Sequence, residues 1–151
     1  MTAMQWTQQQ FESMSWHDNH VHGLRLVEGQ NGAGELVLDL DYIVEWLSGK
    51  GAIQFRIVPA TLRFTDVTNL RIALDYATPS AALGPFSIHT NERQDEPRER
   101  YVAHVWRIFV NWPAGEITFE ASGFEQRSTG EPIVSDMQHL SPAQRGNAAS
   151  P

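Results

Sequence analysis

From His20 onward, apolar and polar positions alternate in short runs closed by Gly, Pro, Asn or Asp, and no long helical period interrupts the middle of the chain. That pattern predicts a mainly β domain. The first run, residues 20–28, ends at the glycine-rich stretch 29–34. The second, residues 35–47, sets Leu36, Leu38 and Leu40 on one side and Val37, Asp39 and Asp41 on the other, so the two read as a hairpin. After the turn at 48–51 come residues 53–58, then 61–66 beyond Pro59, then 70–76 beyond an expected turn at 66–69, and the three runs read as a meander. In the last of them Leu70, Ile72, Leu74 and Tyr76 are expected inward. Residues 78–85 read as a loop and 86–90 as a short strand. The stretch 91–100, dense in charge and holding Pro97, is expected to be a solvated loop. Residues 101–112 and 116–125, joined by Pro113, Ala114 and Gly115, give a closing hairpin.

The ends differ from the body. Within residues 1–15, Thr7 suits a helix N-cap, and Trp6, Phe11 and Met14 can share one face of a short helical segment laid on the sheet. A short C-terminal helix is expected within 133–145, broken at Ser141 and Pro142, followed by a frayed tail at 146–151. Residues 1–151 are then a single domain whose β body spans 20–125. About eight antiparallel strands at spacings near ten residues predict a β-sandwich or partly closed barrel with helices only at the termini.

Composition narrows the chemistry. At 151 residues, with 41% apolar and 19% charged residues, the chain is built to fold. It has no Cys, which removes disulfides, thiolate metal sites and a cysteine nucleophile together, and fits a reducing compartment. A formal charge of −7 disfavours nucleic acid and anionic lipid as partners. No apolar run reaches the roughly 20 residues needed to span a bilayer, and nothing at the N-terminus marks the chain for export. A cytoplasmic location is the expectation.

The densest polar cluster is Trp16-His17-Asp18-Asn19-His20-Val21-His22. On an extended chain Asp18, His20 and His22 project to one side, and the hairpin partner offers Asp39 and Asp41. Two imidazoles and one or more carboxylates suit a divalent ion such as Zn, Fe(II), Ni or Mn, so His20, His22, Asp18 and Asp39 are candidate metal ligands. The competing reading has His20 and His22 share a side with Leu24 and Leu26 and close the end of the core with hydrogen bonds. A one-residue slip decides between them, because it sends a side chain to the other face. For His17 and Asp18 the plain alternative is a turn in which the carboxylate accepts backbone N–H bonds and orients the ring. No third group completes a catalytic dyad, and no Ser stands in a G-x-S-x-G elbow. Gly29, Gly32 and Gly34 join two strands, which is the wrong context for a dinucleotide loop. His104, Trp106, Trp112 and Trp46 are candidates to line a cavity for a small apolar ligand, and core packing is the alternative. Glu92, Asp95, Glu96, Glu99, Glu116, Glu120 and Glu125 would form an acidic rim suited to a basic protein surface.

Together, the 16–22 stretch, the Leu36–Ile43 run ending near Trp46, Pro59-Ala60-Thr61-Leu62-Arg63-Phe64 and Gly123-Phe124-Glu125-Gln126 resemble an uncharacterised family of small bacterial β-rich proteins. More distantly, the His-Asp pair leading into a strand resembles β-rich immunity proteins that neutralise toxins by binding them. The resemblance implies no cofactor and no catalytic residue. The leading expectation is a non-enzymatic protein that binds a protein partner, with self-association also open. A metal-binding protein or metal-dependent enzyme built on the His/Asp cluster, and a small-ligand carrier, are the alternatives.

Overall fold

The computed structural model describes residues 3–49, 51–78 and 82–146. Among them nine strands form one antiparallel sheet: β1 (Gln5–Thr7), β2 (His20–Val27), β3 (Gly34–Leu47), β4 (Gln54–Leu74), β5 (Phe86–Pro97), β6 (Val102–Trp112), β7 (Gly115–Glu120), β8 (Gly123–Ser128) and β9 (Ile133–Ser135). A 3₁₀ turn, Gln8–Ser13, and a single helical turn, α1 (Pro142–Arg145), complete it. The protein is mainly β, as the alternation requires. Strands β4, β3, β2, β5, β6 and β7 pair in that order and β7 pairs back to β4, so six strands close a ring. Closure favours the barrel over the sandwich.

β4 is the spine. One edge pairs with β3, and the other is shared in succession by β9 at 55–57, β8 at 60–65 and β7 at 68–74. The three runs expected as a meander are therefore one strand of 21 residues. Pro59 does not break it, because the prolyl nitrogen faces the gap between the β9 and β8 ladders, where no N–H is needed. The Pro59 carbonyl, pointing the same way, accepts the Thr129 N–H at 2.8 Å. Asp66 and Asn69 do adopt left-handed backbone, with φ of 55° and 52°. They bend the strand and shift its register where it passes from β8 to β7, and do not end it.

A second correction concerns residues 91–100. Most of this charged stretch is not a loop, because β5 continues through Pro97, pairing Asn91 with Ile108 and Pro97 with Val102. Charge on an edge strand blocks unwanted sheet extension, so polarity here marks an edge and not the absence of a strand. The expected C-terminal helix also shrinks. Residues 133–135 pair with β4 as β9, and only Pro142–Arg145 is helical, entered by a Ser141 N-cap whose Oγ accepts the Gln144 N–H at 3.2 Å. The expected loop at 78–85 falls partly, and the tail at 146–151 almost wholly, outside the described residues.

Inside the ring Leu36, Leu38 and Leu40 meet Leu62, Phe64, Ile108, Ile117, Phe119 and Trp106, all buried. Phe11 of the 3₁₀ turn sets its ring edge-on to Trp106 at 5.3 Å, and Trp6 and Met14 pack on the same core. Thr7 caps that turn, with the Gln10 side chain accepting the Thr7 N–H at 2.7 Å. A smaller core of Ile43, Phe55, Ile57 and Leu140 lies apart from the main one. Leu140 belongs to the segment that follows β9, so the chain's end folds back against the β3–β4 hairpin.

A carboxylate cluster that clasps the C-terminal segment

The hairpin of β2 and β3 sets the site through one irregularity. His20 pairs with Asp41 and Val21 with Leu40, but Gly23 pairs with Asp39, so His22 is an extra residue in the ladder. The bulge reverses the side-chain alternation. His20 lies on the outer side with Asp41, while Leu24 and Leu26 lie on the core side opposite Leu38 and Leu36. His20 and His22 therefore do not share a side with those leucines and do not close the end of the core. Leu24 and Leu26 are themselves 37% and 63% exposed, because β5 pairs with β2 only at His20 and Val21 and leaves the rest of that strand without cover.

On the outer side, Asp41 is fully buried and fully engaged. One carboxylate oxygen accepts from Arg145, and the other accepts the His22 Nε2–H at 2.7 Å and the Leu140 N–H at 2.8 Å. The second Arg145 amino group bonds Asp39. A two-pronged guanidinium is matched to two carboxylates two residues apart on one strand face. Asp18, held at φ 63°, accepts from Asn111 at 3.2 Å and from Gln138 at 3.0 Å, so it too ties the C-terminal segment to the body. His20 donates its Nδ1–H to the Asp18 carbonyl at 3.1 Å and lies against His139, ring centres 4.7 Å apart. Burial is the main cause that lowers the His20 pKa below its ordinary value, and the neighbouring His139 lowers it further. His17 is exposed and donates to the His89 carbonyl at 3.0 Å.

The predicted residues are thus gathered, but around a different cation. Asp39 and Asp41 neutralise Arg145, and among the described residues no group of three His, Asp or Glu side chains is placed to hold a metal ion. Sequence reasoning missed Gln138, His139, Leu140 and Arg145. Two signals pointed to Arg145: it is the only base after Arg127, and it follows a Ser-Pro helix start that would anchor it.

The other candidates separate. Trp106 is fully buried, its Nε1–H on the Ala121 carbonyl at 3.2 Å, while Trp46 and Trp112 are each 50% exposed, so the three do not line one cavity. His104 is not on the core: its Nδ1–H reaches the Asp95 carboxylate at 2.6 Å, and this bond holds Asp95 below the usual carboxylate range. It lines a shallow groove with Tyr101, Val102, Glu120 and Ser122. The acidic rim is partly neutralised, Glu96 and Glu120 by Arg98 and Glu125 by Arg127.

No family model matches the chain, and no curated protein matches it. Among the described residues no helix is long and apolar enough to cross a membrane.

Proposed function

We propose that this is a cytoplasmic, non-enzymatic binding protein that recognises a protein partner through the far end of the β5–β6 ribbon. The observation that carries the reading is the tip of that ribbon, where Tyr101 and Val102 are 61% and 53% exposed beside the groove formed with His104 and Glu120. An aromatic and a branched apolar side chain set among charges match the make-up of protein-binding surfaces, where Tyr contributes much area at small entropic cost. The His/Asp cluster supports the same reading, since its carboxylates and imidazoles are occupied with holding the chain's own C-terminal segment. The distant resemblance to immunity proteins implies a function of the same kind, and the Cys-free composition suits a reducing compartment.

The test is crosslinked capture from lysate of the source organism with the wild type and with Tyr101→Ala/Val102→Ser. A partner retained by the first and lost by the second, with thermal midpoints unchanged, is the expected result. Capture of the same proteins by both variants, or of none, rejects the reading.

A further inference from the structure

We infer that the open edge of β5, over residues 90–97, receives an extended basic segment of the protein partner as an added strand; this rests on the proposed protein-binding role and names the partner's chemistry. β5 is laddered to β6 along its length but to β2 only at Phe86 and Ser87. Ile88 completes that side, accepting from Asp18 at 2.8 Å and donating to Asn19 at 2.9 Å. From residue 90 onward, among the described residues, no main-chain group bonds β5 on the side away from β6. Alternate N–H and C=O groups there form a row at the spacing a further strand requires.

Charge selects the occupant. Residues 90–97 hold Glu92, Asp95 and Glu96 against Arg93, which lies over the rings of Phe11 and Trp106, at 5.6 and 5.8 Å, and reaches Asp95 at 3.4 Å, so Glu92 and Glu96 are the acids that Arg93 leaves for an incoming cation. Among the described residues, Glu92 is bonded only to the Thr90 hydroxyl, at 2.9 Å. Asp95 and Glu96 pair with His104 and Arg98 at exposed positions, where exchange for an incoming cation costs little. A second copy of this chain is a poor occupant, because two β5 edges together would set acid against acid in a molecule of charge −7.

The probe is a fluorescein-labelled octapeptide of alternating arginine and valine, followed by anisotropy with the full-length protein. We expect saturable binding, at least tenfold weaker for the glutamate–valine counterpart and for a peptide N-methylated at every residue, which keeps its charge but has no N–H on either edge to ladder. Glu92→Gln/Glu96→Gln, with an unchanged thermal midpoint, should weaken binding at least fivefold, and bound peptide should slow amide exchange within residues 90–96. Absence of saturable binding, or binding indifferent to N-methylation, overturns the inference. Its failure is distinct from failure of the protein-binding role: a partner captured through Tyr101 and Val102 but unaffected by Glu92→Gln/Glu96→Gln leaves the role standing and removes the strand edge.

Discussion

Asp41 illustrates how a single buried carboxylate organises its surroundings. Each of its oxygens is occupied, and its charge is offset by Arg145, itself fully buried. Removing one partner of such a pair leaves the other charge in a poor solvent, which costs about 3–5 kcal/mol. Arg145→Met should therefore lower the urea-unfolding free energy by about that amount, and a loss below about 1 kcal/mol would mean the pair is not buried in solution. His20 supplies a pH dependence. Its pKa is lowered in the folded protein, first by burial and then by His139, whereas the unfolded chain titrates near the ordinary histidine value of 6.5. The unfolded state therefore takes up the proton first. Stability attributable to this group is complete above pH 6.5 and declines as the pH falls from there to the depressed folded value. Denaturation at pH 7.5, 6.5 and 5.5 should show a steeper decline for the wild type than for His20→Asn. Equal slopes would remove His20 as the cause.

At the scale of elements, β4 and the C-terminal segment carry the lessons. Asp66 and Asn69 hold left-handed φ inside a continuous strand, so a β-branched residue there should cost about 1–2 kcal/mol while glycine is tolerated. Asn69→Val and Asn69→Gly, compared by thermal unfolding, separate this from loss of the Asn69–Glu120 hydrogen bond, which both variants lack. The C-terminal segment is fixed by one apolar anchor as well as by charge. Leu140 is fully buried with Ile43, Phe55 and Ile57, so Leu140→Ala should destabilise by about 2–5 kcal/mol. A cost below about 1 kcal/mol would show that the segment is not seated on the β3–β4 hairpin.

For the whole molecule, the ring is strong where β3 meets β4 and thin where β2 meets β5, a junction of two paired residues extended by Ile88. Opening should begin at that junction. In native-state hydrogen exchange the Ile88 amide is expected to exchange well before those of residues 38–42, and the reverse order would mean that the ring closes as firmly here as elsewhere.

Much of this was legible in the alternation of the sequence. Leu36, Leu38 and Leu40 on one side with Asp39 and Asp41 on the other follow from a period of two, because successive residues of a strand point to opposite faces and the leucines claim the core face. The mainly β class, the β2–β3 hairpin and the Thr7 cap rest on the same local physics. What needed the tertiary structure was every feature that depends on a neighbour distant in sequence. Whether Asp66 and Asn69 end a strand or bend it depends on β7 and β8 waiting alongside, and whether charged residues 91–97 form a loop or an edge depends on β6. The bulge at His22, which sets His20 on one side and Leu24 on the other, is likewise a matter of register against β3. The sequence established that two aspartates and several histidines would stand together near one hairpin. Only the folded chain, by carrying Arg145 back across more than a hundred residues, decided which cation they would meet.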